Sequence, residues 1–464
     1  MGKPNLGRDA KMGRHHGPQA PGPGHEAPSR PAICGVNGDH GERAMTVSNV
    51  LVKVYEPRRL QMAWQRVRQN AGAAGIDQMT VEEFAQREDH LLARIHATLK
   101  AGHDRFQPAR RVLIPKAGTS KKRKLGIPAV MDRIVGTSMH SILEEIFDPA
   151  FTPSNFGFRR GRSQHQAIRH LQRLVNEGRE WAVAVDLQAF FDEIPHGLIL
   201  KLIRRKVADE QLVTLLARLL KAGVMVNGEF EKTTKGCPQG SPLSPILSNI
   251  VLNELDHTLE ERHLGYCRWA DDVVIVVRSE RAAQRVLEGT IRYVEDELGL
   301  TVNQEKSRVA PIKEVTFLGF QLLRGKIRVS TTARLRFKGR VRELTRRNNP
   351  VSMYQVIHEL SLYLRGWVGY FGIQEFRYLF RDLDAWIRSR LRSTQLKKWK
   401  KPRTFQRIMI KAGFDPYEAH RVWLKMNRWQ SVMRRPVRFV MNLHWFRERG
   451  LVFLHDWTST FSRT

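Results

Sequence analysis

Between about 46 and 330 the apolar residues switch between two periods, and the switching predicts a mixed α/β chain. Residues 51–70 repeat at helical spacing and run into the loop Ala71-Gly72-Ala73-Ala74-Gly75. Val112-Leu113-Ile114 is a short apolar run halted by Pro115, which predicts a strand. Residues 134–146 return to helical spacing, and Trp181-Ala182-Val183-Ala184-Val185 predicts a buried strand ending at Asp186. Around 266–277, apolar β-branched residues flank Asp271-Asp272, the pattern of a hairpin with two acids at its turn. Residues 315–320 and 326–329 predict another pair of strands. From about 331 the period is helical: Ile357, Leu360, Leu364, Trp367 and Phe371 form one stripe, and Phe376, Phe380, Leu383, Ile387 and Leu391 another. No repeat of roughly 20–50 residues is visible.

Composition changes the picture at both ends. Residues 1–44 hold 15 Gly or Pro and almost no apolar periodicity, which predicts a disordered leader. Residues 331–464 hold 29 Lys or Arg against 9 Asp or Glu, so +20 of the chain's +32 lies there, with seven of the ten tryptophans. A helical region with basic outer faces follows. Trp367 and Trp386 fall at core spacing, whereas Arg388, Arg390, Arg392, Lys397, Lys398 and Lys400 are candidates for phosphate contacts. So large a like-charge surplus implies a polyanionic partner, and nucleic acid fits best. Cys34, Cys237 and Cys267 are scattered singles that offer neither a disulfide framework nor a zinc site, and they point to a reducing compartment. No apolar run approaches the roughly 20 residues of a membrane span, and the N-terminus lacks a secretory layout. The chain reads as cytoplasmic, with no membrane partner. The expected divisions are a leader at 1–44, an α/β part at 45–330, a helical part at 331–445 and a tail at 446–464.

The acids carry the candidate chemistry. Asp186 ends a strand, and Asp271-Asp272 occupy a hairpin turn 85 residues later. Adjacent carboxylates among Val and Ile are costly unless a cation balances them. Mg²⁺ takes one or two such groups together with water and substrate phosphates. On neighbouring strands, Asp186 and Asp271 could face one another and hold two ions about 3.5–4 Å apart, serving the attacking and leaving oxygens of a phosphoryl transfer. The plainer alternative is a solvated turn, where Asp is a favoured residue.

The surroundings of these acids resemble a known family. Asp186 precedes Phe190-Phe191-Asp192, and Gly236-Cys237-Pro238-Gln239-Gly240-Ser241-Pro242 lies between it and Ala270-Asp271-Asp272. This set resembles the palm of a reverse transcriptase, and the version here is similar to the group II intron family. Ile114-Pro115-Lys116, Leu125-Gly126-Ile127-Pro128, Asp132-Arg133-Ile134-Val135 and Phe156-Gly157-Phe158-Arg159 resemble that family's fingers. Residues 71–77 resemble its N-terminal extension, and Asn303-Gln304-Glu305-Lys306-Ser307 and Phe317-Leu318-Gly319-Phe320 its last palm motifs. Leu364-Arg365-Gly366-Trp367 is similar to its maturase-specific thumb signature. The resemblance runs in order from about 46 to 430. It implies an α+β right-hand polymerase, with fingers and palm followed by a C-terminal all-helical thumb/maturase domain.

The resemblance also implies roles. Asp186 and Asp271 would ligand two Mg²⁺ with help from the Leu187 carbonyl, and Asp272 would support the second ion. Phe191 would be the aromatic gate that excludes a ribose 2′-hydroxyl, while Phe190 packs in the core because consecutive side chains diverge. Arg110, Lys116 and Arg123 would clamp the triphosphate, and Gln239 and Gly240 would contact nucleotide and primer. Lys306 is either a phosphate contact or a strand-edge lysine. The implied activity is RNA-directed DNA synthesis, with deoxynucleoside triphosphates, an RNA template with DNA primer, group II intron RNA and target DNA as partners in splicing and retrohoming. The chain departs from the family at Trp269, usually Tyr, and at Lys124, often Pro. Beyond 430 it shows neither paired Cys motifs nor a His-Asn-His cluster, so second-strand cleavage is not expected of it. Two other readings stay open: a splicing-only maturase acting as an RNA-binding protein, and a domesticated reverse transcriptase in host defence.

Overall fold

The computed structural model describes residues 46–115, 122–399, 401–424 and 432–459. The expected leader, Lys116 and Lys400 lie outside the described residues. In chain order the strands are β1 (Ala109–Pro115), β2 (Lys122–Ile127), β3 (Trp181–Val185), β4 (Val224–Val226) and β5 (Glu229–Glu231). They continue with β6 (Gly265–Trp269), β7 (Asp272–Val277), β8 (Arg308–Pro311), β9 (Phe320–Leu323) and β10 (Lys326–Val329). Three sheets result, with spatial orders β2-β1-β4-β5, β6-β7-β3-β8 and β10-β9.

The β6-β7-β3-β8 sheet is antiparallel throughout and positions the candidate site. Val185 of β3 pairs with Val273 of β7, and Trp269 of β6 pairs with Asp272, leaving Ala270 and Asp271 as a two-residue turn. Both faces are covered. Val183, Val185, Val273 and Ile275 enter the largest core, with helices Val130–Phe147, His196–Arg204 and Ser244–Glu261. Ala182, Cys267, Val274 and Val276 enter a second core with helix Gln164–Asn176. Burial on both sides explains why these strands read as unbroken apolar runs rather than alternating ones.

Several expected elements shift, for local reasons. The helix expected at 51–70 is two helices, Val50–Val54 and Pro57–Gln69. Pro57 lacks an N–H and disfavours helical backbone at Glu56, so it starts a new helix at its first position. Residues 315–317 are not a strand of the expected pair. Leu318 and Gly319 have φ of 50° and 79°, so the chain turns there and β9 begins at Phe320.

From Thr331 onward the described elements are helical, beginning where the Ser330 hydroxyl accepts from the Ala333 amide at 3.2 Å. Met353–Phe371 and Arg377–Lys398 carry the two predicted stripes, and Phe337, Leu364, Phe380 and Ile387 meet in a third core. The tail expected at 446–464 is not a tail as far as it is described. Phe446, Leu451, Phe453 and Leu454 are buried in that core, and Asp384 accepts from the Leu454 amide at 2.9 Å. The chain from 45 onward forms one compact unit. No helix among the described residues is long and apolar enough to cross a membrane.

Candidate active site

Extending the Val185–Val273 pairing by one residue sets Asp186 against Asp272 and beside Asp271. The backbone of Asp186 is fixed from the other side. Its amide donates to Ser307 Oγ at 3.0 Å, and its carbonyl accepts from the Asn303 amide at 2.8 Å. Leu187 bridges to Val302. Lys306 Nζ donates to Asp186 Oδ2 at 2.9 Å, so the lysine stands at the acids. Crowding by protein atoms, then repulsion from Asp271 and Asp186, pushes the Asp272 carboxyl up to about 6, and Lys306 opposes the rise. Asp272 still opens to solvent, so the repulsion from its acidic neighbours is the part that bears on chemistry. The acids converge.

The donors at this point are oxygens, and their mutual repulsion is what a cation would relieve. Among the described residues, no three His, Cys, Asp or Glu side chains close into a ready metal cage. Carboxylate oxygens of this kind are donors that a hard ion such as Mg²⁺ takes together with water and substrate phosphates.

The aromatic pair separates as consecutive residues on a short helix must. Phe190 is buried, and Phe191 is half-buried with its ring edge-on to Phe190 and Phe158 at 5.3 and 6.5 Å between centroids. The loop carrying Gln239 folds against this segment: the Cys237 amide donates to the Phe191 carbonyl at 2.6 Å, and the Gly236 amide to the Ile194 carbonyl at 2.7 Å. The Gln239 carbonyl accepts from the Gly126 amide at 2.7 Å. Gly240 has φ of 112°, and a Cβ there would stand 2.5 Å from the Gly126 carbonyl. Its glycine is thus required by the approach of β2, before any ligand is considered.

The basic residues divide differently from expectation. Arg110 donates to the Ala74 carbonyl at 2.7 and 3.2 Å, tying down the 71–75 loop. Arg123 is exposed on the same face of the β1–β2 hairpin. Arg111 and Lys124 share the opposite face, and both lower the Asp192 carboxyl against the burial that raises it. Sequence reasoning gave neither Arg111 nor Lys124 a site role, although alternation along a strand separates Arg110 from Arg111. In the helical region, Arg390 donates to the Thr345 carbonyl at 3.1 Å, Arg392 to that of Met441 at 2.9 Å and Lys398 to that of Asn349 at 2.9 Å. These three expected phosphate contacts brace loops and helix ends instead.

Residues 114–322 match the family model described as reverse transcriptase (RNA-dependent DNA polymerase), and 334–413 match the group II intron maturase-specific domain. Protein YkfC of Escherichia coli is 32% identical over 335 residues, covering 62% of this chain and 88% of that protein. The group II intron-encoded protein LtrA of Lactococcus lactis subsp. cremoris is 32% identical over 269 residues, 57% of this chain and 43% of LtrA. Nuclear intron maturase 4, mitochondrial, of Arabidopsis thaliana is 26% identical over 213 residues, 45% of this chain and 25% of that protein. The chain thus spans less than half the length of these last two. It belongs to the family of reverse transcriptases (RNA-dependent DNA polymerases) that carry a group II intron maturase-specific domain.

Proposed function

We propose that the chain joins deoxynucleotides to a primer on an RNA template at the point where Asp186, Asp271 and Asp272 meet. What carries the reading is the pairing of Val185 with Val273 and of Trp269 with Asp272, which brings the hairpin turn bearing Asp271 and Asp272 to the end of β3 at Asp186. Asp186 and Asp271, with the Leu187 carbonyl and Asp272 in support, would hold two Mg²⁺. Bound there, the ions would polarise the triphosphate and offset the charge that builds on the attacking and leaving oxygens. The protein's own share is placement. Phe191 presents a rigid edge where a ribose 2′-hydroxyl would sit, and Gln239 and Gly240 border the nucleotide. Arg123, and Arg111 with Lys124 on the other face of the hairpin, offer cations for the triphosphate, a role the resemblance also implies for Lys116. Lys306 keeps Asp186 aimed and partly neutralised.

Residues 46–330 would serve as fingers and palm. The helices from Thr331 would serve as thumb and maturase domain, gripping template–primer and group II intron RNA in splicing and in insertion at target DNA. The +20 surplus over 331–464 supports that role. The described cysteines, Cys237 and Cys267, are buried free thiols, in keeping with work in the cytoplasm.

Primer extension on an RNA template with Mg²⁺ tests the site. Asp271→Asn keeps the size and removes the charge, and it is expected to lower kcat by about 1,000-fold or more. A rate equal to that of the unaltered chain would refute the assignment. For the maturase role, filter binding should show the parent intron RNA held more tightly than an unrelated structured RNA of equal length. Equal affinities would leave only general RNA binding.

A further inference from the structure

Behind the acidic turn lies a buried polar network that neither metal binding nor nucleotide contact employs. The side chains of Arg268 and Asp256 are fully enclosed, at 0% exposure each. Arg268 Nε donates to Asp256 Oδ1 at 2.8 Å. Its Nη1 donates to Asn249 Oδ1 at 2.9 Å and to the carbonyl of Ala270 at 3.0 Å. Asn249 Nδ2 in turn donates to the Gly157 carbonyl at 2.8 Å. Gly157 presses on the same turn, because a Cβ there would stand 2.2 Å from the Ala270 amide nitrogen. Two backbone bonds flank the contact, from the Arg268 amide to the Ser154 carbonyl at 3.0 Å and from the Phe156 amide to the Arg268 carbonyl at 2.9 Å.

Stability does not account for this arrangement. Replacing a fully buried ion pair by apolar residues of similar volume is often neutral or stabilising, so stability alone does not explain a pair at 0% exposure. What the network does is local. Ala270 has φ of 57°, a left-handed conformation that alanine avoids, and the guanidinium and Gly157 hold it there from two sides. The next residue is Asp271.

We infer, resting on the polymerase reading of the three acids, that Arg268 is a positioning residue for the metal-binding turn. Anchored by Asp256 and Asn249, its guanidinium pins the Ala270 carbonyl, so that a turn which would otherwise relax presents Asp271 toward Asp186. Asn249 extends the hold to the Gly157 segment that backs the turn. The network thereby sets the geometry of the cation site without touching a cation or a nucleotide.

The test uses the full chain with two variants. The pair Arg268→Met with Asp256→Leu removes both charges together, and Asn249→Ala leaves the ion pair in place but cuts the link to Gly157. In the double variant, Mn²⁺ affinity measured by electron paramagnetic resonance without nucleotide is expected to weaken about 10- to 100-fold, and kcat to fall by a similar factor. The KM for deoxynucleotide is expected to move less than about threefold, since no nucleotide contact is lost. Asn249→Ala should shift Mn²⁺ affinity and kcat in the same direction by about 3- to 10-fold, and it decides the matter if the double variant does not fold. A folded variant with unchanged Mn²⁺ affinity and unchanged kcat would overturn the inference. Asp271→Asn in the same assays keeps the two readings apart. If it retains full rate and Mn²⁺ affinity, the polymerase site itself is wrong, whereas if it loses both while the network variants lose neither, only the positioning role falls.

Discussion

Asp132 accepts a hydrogen bond from the Gln107 amide at 3.0 Å, and burial, with Asp77 nearby, pushes its carboxyl up to about 7. An unfolded Asp titrates near 3.9, at roughly its ordinary value. The folded chain therefore binds this proton more tightly than the unfolded chain does. The stability it contributes is complete below about pH 4 and is lost as pH climbs through about 7. Asp132→Asn keeps an acceptor for Gln107 and never ionises. Its advantage in thermal unfolding is expected to grow between pH 5 and pH 8, by on the order of 1–2 kcal/mol once solvent screening is allowed for. A difference that stays constant across that range would remove the charge as the cause. Phe191 offers a second test at the scale of one side chain. Its ring is braced edge-on by Phe158 and Phe190, so it cannot swing aside cheaply. Phe191→Ala should raise the ratio of kcat/KM for ribonucleotides over deoxynucleotides by about 10- to 100-fold, in line with the selectivity that pocket contacts provide. An unchanged ratio would return Phe191 to the role of a packing residue.

At the level of elements, the 71–75 loop is held by two guanidinium groups. Arg110 reaches the Ala74 carbonyl, and Arg133 reaches those of Ala73 and Pro128. Gly75 lies so close to the next element that a Cβ would stand 2.6 Å from Ala129 Cα. Arg110→Met is expected to speed hydrogen exchange in 71–75 about tenfold while leaving the deoxynucleotide KM within about twofold, because the lost bond anchors backbone. A large rise in KM with unchanged exchange would restore Arg110 to the triphosphate. That residue also marks where legibility in the sequence stops. Strand 181–185 and the stripes on Met353–Phe371 and Arg377–Lys398 were readable because burial imposes a period on neighbouring residues. The convergence of Asp186 with the 271–272 turn was readable because both ends of the pairing carry acids among apolar residues. The destination of an arginine's five donors is not local, since Arg110 finds Ala74 36 residues away and Arg392 finds Met441 49 residues away. Nothing in periodicity encodes such partners. Buried Arg268 did leave a trace, an Asp256 set among the leucines of a helix, but only the folded chain joins the two.

Across the whole molecule, charge and architecture are coupled unevenly. The helical region carries +20, yet part of that charge is committed to internal carbonyls. A count of Lys and Arg therefore overstates the number of phosphates this region can neutralise. The salt dependence of RNA affinity measures the difference, because each neutralised phosphate adds about 0.7–0.9 to the slope of log K against log salt. Lys397, half-exposed near the end of Arg377–Lys398, and Arg390, bonded to the Thr345 and Arg342 carbonyls, lie on the same helix and should separate cleanly. Lys397→Gln is expected to reduce the slope by roughly 0.7–0.9 and leave the melting temperature unchanged. Arg390→Gln is expected to leave the slope alone and to cost roughly 0.5–1.5 kcal/mol, since it removes the hydrogen bonds to the Thr345 and Arg342 carbonyls. Filter binding across a salt series, paired with thermal melts, reads both. If the two substitutions flatten the slope equally, the backbone bonds of Arg390 yield to RNA and the charge count stands. If neither changes it, the helical region grips RNA through another face.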